Sequence, residues 1–192
     1  LGCEVIDLGI VEDTLDATKA AIARGAADAD LVLASGGVSV GEEDHVKPAV
    51  EALGALEMWK PAIRPGKPLA YGHVDGTPFI GSPGNPVSLF VTFLLFVRPF
   101  ILRLQGRNDW ALQPLRVAAD FAWPRPDKRR EFHRARLVRA SDGENRLQVH
   151  QSRSSGVLSS VVWANGLAVI PEGQVIQPGD LVDFLPFHEL MA

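Results

Sequence analysis

The sequence contains few of the residues that build covalent frameworks and metal centres. Only one cysteine, Cys3, occurs among 192 residues, which excludes an internal disulfide and a cysteine-based zinc site. The five histidines form no HxxxH pair, so no helix is predicted to offer two of them to a metal. We interpret Cys3 as a small core residue, and the low cysteine content predicts a reducing compartment and a cytoplasmic protein.

Charge and hydropathy disfavour two classes of partner. The formal net charge of −4 argues against nucleic acid. The most apolar run, residues 87–100, contains Ser88 and Thr92 and is too short to cross a bilayer. It is predicted to be a buried helix, and neither nucleic acid nor a membrane is expected as a partner.

A glycine-rich loop follows an apolar stretch. Residues 31–34 are predicted to form a short buried strand, and a helix is predicted to start near His45. Glycines let backbone N–H groups approach an anion, so the intervening loop is typical of a phosphate site, although a plain strand-to-helix turn would look similar. The residues assigned to the anion are Ser35, Gly36, Gly37, Ser39 and Gly41.

Two acidic residues end this loop. Glu42 and Asp44 lie where a divalent metal or a general base would be useful. They could instead cap the following helix, because carboxylates interact favourably with the positive end of its dipole. Both interpretations are open from the residues alone.

A second loop of similar design follows a short apolar strand at residues 78–80. Asn85 suits the N-cap of the next helix and Pro86 suits its first turn. Two such junctions in one open α/β sheet would offer two helix N-termini to one ligand at the carboxyl ends of the strands. The residues assigned to that ligand are Pro83, Gly84, Asn85, Pro86 and Ser88.

Three cations separated by prolines lie between the two loops. Lys60, Arg64 and Lys67 occur in the segment WKPAIRPGKP, whose prolines stiffen the backbone. The pattern predicts a rigid clamp for an anion. A solvated surface edge is the alternative, since this is the commonest position for scattered cations.

Strand and helix patterns alternate up to Gly106 and then give way to strands alone. The first part, residues 1–106, predicts a three-layer α/β domain with a mostly parallel sheet. It opens with a glycine cap and a strand at residues 4–9, and we expect its first strand to be missing from this chain. Residues 107–113 are predicted to be a linker, and residues 114–192 a small all-β domain resembling a barrel.

Three long motifs resemble one known family. In order, SGGVSVGEEDHVK, WKPAIRPGKP and GSPGNPVS are similar to motifs of the molybdopterin molybdotransferases, the molybdenum insertases of molybdenum cofactor synthesis, which include the E domain of gephyrin. The resemblance implies molybdenum insertion into adenylylated molybdopterin, with molybdate as the second substrate and release of AMP. It also implies Mg²⁺ at Glu42 and Asp44, a homodimer formed through domains before this chain, and molybdoenzyme acceptors. A chain starting here is expected to be weak or inactive by itself.

The resemblance implies roles for further residues. Lys60, Arg64 and Lys67 match basic positions near the cofactor, and Arg64 stands where the family usually has lysine. The positions matching the molybdate pocket are Lys67, Pro68, Arg134 and Ser159. Arg134 lies in a basic run, residues 129–136, that could otherwise be a charged outer face of a strand.

Two other functions remain open at this point. A molybdopterin adenylyltransferase shares the glycine-loop fold but normally lacks the appended β domain and the PGKP and PGNP motifs. A gephyrin-type scaffold or cofactor-carrying module would use the same fold without catalysis. The acids and lysines retained in the loops argue against a purely structural role.

Overall fold

The chain folds into two compact units. The computed structural model describes residues 1–38 and 45–191. The α/β unit comprises residues 2–61 and 66–93, and the barrel unit comprises residue 1, residues 62–65 and residues 94–192. Residues 62–65 thus leave the α/β unit to join the barrel unit, and each unit is described below by itself.

Helices and strands alternate in the first half, and strands predominate in the second. The strands are β1 (Val32–Ser35), β2 (Gly54–Trp59), β3 (Ile63–Arg64), β4 (Ala70–Val74), β5 (Thr77–Ser82), β6 (Leu115–Ala119), β7 (Arg130–Arg139), β8 (Asn145–Val149), β9 (Gly166–Ile170) and β10 (Leu181–Pro186). The helices are α1 (Leu15–Asp28), α2 (Val46–Leu53), α3 (Pro86–Thr92), α4 (Arg98–Leu104), α5 (Ser159–Trp163) and α6 (Phe187–Leu190). A π-helical turn, Phe93–Val97, joins α3 to α4.

The sheet of the α/β unit is mixed, which corrects the predicted mostly parallel sheet. Its order is β1-β5-β4-β2, and only β1 and β5 run parallel. Asp75 and Gly76 both have positive φ, 49° and 85°, as a tight two-residue hairpin requires. Because this turn joins β4 directly to β5, the two strands must pair antiparallel. The α/β class itself is confirmed.

Helices α1 and α2 cover the core of this unit. Thr14 caps α1 through its hydroxyl, which accepts from the Ala17 N–H at 3.3 Å, and Gly54 follows α2. The buried core residues are Ile22, Val32, Val38, Val46, Ala49, Val50, Ala70, Val74 and Phe79. Burying these apolar side chains is the main source of stability in such a layer.

The second sheet closes into a barrel. Its strands pair in the ring β7-β8-β6-β10-β9 and return to β7, while β3 adds a parallel edge to β7. The predicted barrel-like β domain is therefore confirmed. The short helices α5 and α6 were not predicted, because four or five residues are too few to show a helical period. The buried core is Val117, Ala119, Trp123, Ala135, Leu147, Ala168, Ile170, Ile176, Val182 and Phe184.

The long apolar helix forms as predicted, with Pro86 in its first turn and its end at Leu104. Over residues 86–104 it is 19 residues long, with a mean hydropathy of 2.0. By length and composition alone such a helix could cross a membrane, which differs from the prediction made from the shorter run at residues 87–100. Half of it is buried inside the structure, and core helices of soluble proteins reach the same composition in this way.

The strand predicted at residues 4–9 is wrong. No regular structure forms before α1, and Val5 is 82% exposed. Within the described parts of the chain this segment pairs with no strand, and an alternating pattern cannot become a strand without a partner for its hydrogen bonds. Cys3 is likewise exposed rather than in the core.

Gly166 offers a test of barrel packing. A Cβ added there would lie 2.3 Å from the Phe184 ring and 2.5 Å from the Leu185 carbonyl oxygen. We expect Gly166→Ala to lower the free energy of unfolding by about 1–3 kcal/mol through overpacking, measured by urea denaturation. Gly156→Ala is the control, since its Cβ would meet only Ser154 Oγ at 3.7 Å. Equal stability of the two variants would contradict this packing.

Candidate functional site

The two glycine-containing loops leave the α/β sheet at the same edge. In the parallel pairing of β1 and β5, Ser35 lies opposite Ser82. Each strand ends at that pair, so the loop that starts at Gly36 and the loop that starts at Pro83 emerge side by side. Both loops therefore lie at the carboxyl ends of paired parallel strands, as the sequence predicts.

The backbones of the two loops are in contact. The Gly36 N–H donates to the Ser82 carbonyl oxygen at 3.0 Å. Gly36 and Gly37 have φ of 81° and 62°, a region that favours glycine. A Cβ on Gly84 would lie 3.5 Å from the Gly36 Cα. Glycine at positions 36 and 37 therefore lets the chain turn, and Gly84 lies within van der Waals reach of Gly36.

The second loop leads directly into α3. Asn85 is extended and Pro86 occupies the first helical turn, as predicted. The Asn85 carbonyl accepts from the Leu89 N–H at 2.8 Å, but its side chain makes no capping hydrogen bond. Ser88 is buried, and its carbonyl oxygen accepts from the Thr92 hydroxyl at 2.9 Å. The Ser88 side chain is thus on the covered side of the helix.

Four of the predicted loop residues cannot be placed. Ser39, Gly41, Glu42 and Asp44 lie outside the described residues, so their roles toward an anion or Mg²⁺ stay predictions. Within residues 1–38 and 45–191, no three His, Cys, Asp or Glu side chains come close enough to hold a metal ion.

Two of the three predicted basic residues belong to the α/β unit. Lys60 has a left-handed backbone, with φ of 65°, and its N–H donates to the Leu69 carbonyl at 3.2 Å. Lys67 is exposed and Pro68 is half-buried beside it. In the part of the chain that is described, neither ammonium group forms a salt bridge. Both cations are accessible to an anionic ligand.

Arg64 lies instead in the barrel unit, on β3. Its Nη1 donates to Asp127 Oδ2 at 3.1 Å, and its Nε lies 3.8 Å from Glu131 Oε2. The predicted clamp at Arg64 is therefore a guanidinium already oriented by two carboxylates, rather than an isolated cation.

Arg134 is the largest fully buried side chain among the described residues. Its Nε donates to Ser160 Oγ at 2.9 Å, and its Nη2 donates to the carbonyl oxygens of Ser152 at 2.5 Å and Ser154 at 3.1 Å. The surrounding apolar core lowers the pKa of Arg134 by desolvation. The guanidinium thus holds the segment of residues 152–160 in place.

Ser159 starts α5 and is exposed, while its neighbour Ser160 is the serine that contacts Arg134. The two residues predicted to share molybdate are therefore not hydrogen-bonded to each other in this structure. The interpretation of residues 129–136 as a charged outer face is wrong, because β7 is buried from Glu131 to Ala135. Pairing with both β8 and β9 places this strand inside the barrel wall.

His133 is structural, as the sequence suggested. Its Nε2 lies 2.7 Å from the His150 carbonyl oxygen, and its ring packs 4.9 Å from the Trp123 ring. Burial lowers the pKa of His133 to about 4, despite the opposing effect of the hydrogen bond to His150. The imidazole is therefore neutral at neutral pH, with its Nε2–H as the donor.

Comparisons with known proteins agree with the two-part organisation. Residues 1–103 match the family described as "Probable molybdopterin binding domain". Residues 116–187 match the family described as "MoeA C-terminal region (domain IV)".

Curated relatives named molybdopterin molybdenumtransferase match most or all of this chain. The chain is 37% identical over its full length to a molybdopterin molybdenumtransferase of Haemophilus influenzae, 48% of which it covers. It is 36% identical, over 90% of its length, to a protein of the same name from Nostoc sp., covering 41% of that relative. The chain thus spans about half the length of the curated relatives it matches.

Solved structures of molybdenum cofactor biosynthesis proteins have a similar fold. A molybdopterin biosynthesis MoeA protein from Pyrococcus horikoshii superposes with a TM-score of 0.73 at 28% identity, covering 93% of this chain and 42% of that one. A molybdenum cofactor biosynthesis protein from Pyrococcus furiosus superposes with a TM-score of 0.70 at 27% identity, covering 93% of this chain and 57% of that one.

A molybdopterin-binding α/β domain followed by the MoeA C-terminal region defines the class of this protein. The chain belongs to the molybdopterin molybdotransferase family.

The buried His133 predicts a loss of stability in acid. Its pKa of about 4 in the folded state lies below about 6.5 in an unfolded chain, so the unfolded state binds the proton more readily between these values. We expect the free energy of unfolding to fall by about 3 kcal/mol as the pH drops from 6.5 to 4. His133→Gln should remove this slope in urea titrations, while His188→Gln, at an exposed position, should keep it. A slope unchanged in His133→Gln would assign the effect elsewhere.

Proposed function

We propose that this chain takes part in molybdenum insertion into adenylylated molybdopterin, with release of AMP. The observation that carries the proposal is the contact between the two glycine loops at the ends of β1 and β5. Ligands of open α/β sheets bind at such an edge, and adjacent loop backbones supply N–H donors to a pyrophosphate. Membership of the family supplies the reaction class.

In the proposed mechanism the chain acts mainly by positioning charge. Gly37 and the start of α3 present backbone N–H groups and a helix dipole to the pyrophosphate. Bound at Glu42 and Asp44, Mg²⁺ would supply electrostatic stabilisation of the departing phosphate. Both are hard oxygen ligands of the kind that Mg²⁺ prefers. A covalent nucleophile is unnecessary, because fixed charges stabilise the transition state.

Molybdate is the second substrate of the proposed reaction. We assign Lys67 and Pro68 to molybdate and Lys60 to the anionic cofactor, since both ammonium groups are exposed. Ser159 follows the segment that Arg134 holds. In this proposal Arg134 fixes that segment through its hydrogen bonds. Its guanidinium also places a positive charge beside the segment.

The adenylyltransferase alternative is less well supported. That enzyme normally lacks an appended β domain, whereas the barrel of this chain closes fully and residues 116–187 match the MoeA C-terminal region. A scaffold function has no feature in its favour among the described residues. A homodimer, molybdoenzyme acceptors and a cytoplasmic location stay predictions from the resemblance.

The shared pocket can be tested by adding a side chain to either loop. Gly37→Val places a β-branched residue at φ 62°, and Gly84→Val adds methyl groups toward Gly36. We expect each change to abolish binding of molybdopterin in titration calorimetry, because the loop backbones can no longer approach the ligand. Gly156→Val, in the barrel unit, is the control. Unchanged affinity in both loop variants would refute a shared pocket.

The metal assignment makes a separate prediction. Glu42→Ala and Asp44→Ala should still bind adenylylated molybdopterin, but should release AMP ~10²–10³-fold more slowly, the usual cost of losing one electrostatic stabiliser. AMP is quantified by chromatography. If the chain alone is too slow to assay, the Mg²⁺ dependence of adenylylated cofactor binding is the second readout. Unchanged AMP release, or unchanged Mg²⁺ dependence, would leave these acids as helix caps.

A further inference from the structure

Three guanidinium groups converge on one side of the barrel unit. Arg64 comes from β3, Arg129 from the segment before β7 and Arg153 from the segment after β8. Two carboxylates, Asp127 and Glu131, bind all three. We call this set the arginine cradle. The three arginines lie far apart in the sequence, and the fold brings Arg64 and Arg153 to the segment of residues 127–131.

Asp127 orients two of the arginines. Arg129 donates from Nε to Oδ1 at 3.0 Å and from Nη2 to Oδ2 at 2.8 Å, a bidentate pair. Arg64 donates from Nη1 to the same Oδ2 at 3.1 Å. These donors, led by Arg129, hold the pKa of Asp127 well below its usual range. The carboxylate therefore stays ionised and keeps both guanidiniums in one orientation.

Glu131 orients the third arginine. Arg153 Nη2 lies 2.7 Å and 3.0 Å from the two carboxylate oxygens of Glu131. The Trp123 Nε1–H donates to Glu131 Oε1 at 3.0 Å, and the Arg153 guanidinium stacks 4.4 Å over the Trp123 ring. Cation–π contact and a charged hydrogen bond together fix Arg153. The flanking carbonyls of Ser152 and Ser154 are held by Arg134.

The burial of these groups is asymmetric. The Asp127 and Glu131 side chains are 15% and 4% exposed, whereas those of Arg64, Arg129 and Arg153 are 37%, 27% and 34% exposed. The carboxylates thus lie beneath the arginines, and the solvent-facing surface carries the guanidiniums. Three positive charges face two negative ones, so the cradle retains an excess positive charge. The chain as a whole is negative.

We propose that Arg64, Arg129 and Arg153 form a docking site for a tetrahedral oxyanion, and that molybdate is its ligand. The second clause rests on the proposed function. Guanidiniums present several N–H donors in a fixed plane, which suits the oxygen atoms of such a dianion. The carboxylates beneath use only some of those donors and hold the rest in position before the anion arrives.

Equilibrium dialysis against molybdate, with molybdenum quantified by mass spectrometry, tests the site directly. We expect Arg129→Gln and Arg153→Gln each to weaken molybdate binding by ~10-fold or more, the scale of one charge-assisted hydrogen bond. Arg153→Lys keeps the charge but loses the planar fork, and should lie between wild type and Arg153→Gln. Arg116→Gln is the matched control, because Arg116 pairs with Asp183 on the opposite part of the barrel, and it should bind as wild type.

A competition experiment distinguishes molybdate from other tetrahedral anions as the ligand. Sulfate and phosphate are added at increasing concentration to the wild-type chain with molybdate bound. Molybdate retained against an equal concentration of either anion supports molybdate as the ligand. Displacement by phosphate at equal concentration would overturn that assignment.

Two outcomes would overturn the site itself. One is wild-type molybdate binding in the Arg129→Gln/Arg153→Gln double variant, provided that near-UV circular dichroism shows it folded. The other is the absence of molybdate binding by the wild-type chain, which would reduce the arginines to structural ion pairs. Neither result depends on molybdopterin binding at the glycine loops, so failure of the cradle and failure of the proposed reaction are distinguishable.

Discussion

The parallel pairing of β1 with β5 is the constraint on which the candidate site depends. Its register sets Ser35 opposite Ser82, and this one relation places two loops of separate sequence origin side by side. The hydrogen bond from the Gly36 N–H to the Ser82 carbonyl oxygen joins the start of the first loop to the end of β5, and Gly84 lies close to Gly36. A shift of this pairing by one residue would turn every side chain of β1 to the opposite face.

The barrel unit is organised by a different interaction, the burial of charge in β7. Glu131 and Arg134 are both almost completely buried, and such burial is costly unless an opposite charge or hydrogen bonds compensate each group. Glu131 is satisfied by Trp123 and Arg153, and Arg134 by the serines after β8. The segment of residues 150–160 is thereby bound to β7 twice, once through the carboxylate of Glu131 and once through the guanidinium of Arg134. Losing one partner would leave the other charged group buried without compensation.

Much of this fold could be predicted from local signals. Asn85 and Pro86 mark the start of α3 as expected, and the glycine motifs identify the two loops. Other features depend on distant partners. The antiparallel β4 and β5 had a local signal in Asp75-Gly76, which the alternating pattern of strands and helices obscured. The strand predicted at residues 4–9 had the right composition, but no neighbour among the described residues supplies its hydrogen bonds.

The side-chain roles in the barrel were harder to predict. Alternation along β7 suggested one solvated face, but the closed barrel on one side and the serine segment on the other cover both faces. Nothing near Arg153 in the sequence marks Glu131 or Trp123 as its partners, because those contacts span 22 or more residues. Similarly, the choice between Ser159 and Ser160 as the contact of Arg134 depends on where a five-residue helix begins.

The two kinds of pairing in the α/β sheet also imply an order of assembly. The Asp75-Gly76 hairpin joins neighbours in the chain and can close within about 1–10 μs, whereas β1 must find β5 across 47 residues. The glycine loops meet only when that long-range step is complete. A nascent or partly unfolded chain would therefore hold the hairpin before it holds a ligand pocket, and a ligand bound across both loops would favour the completed sheet over its partly folded precursors.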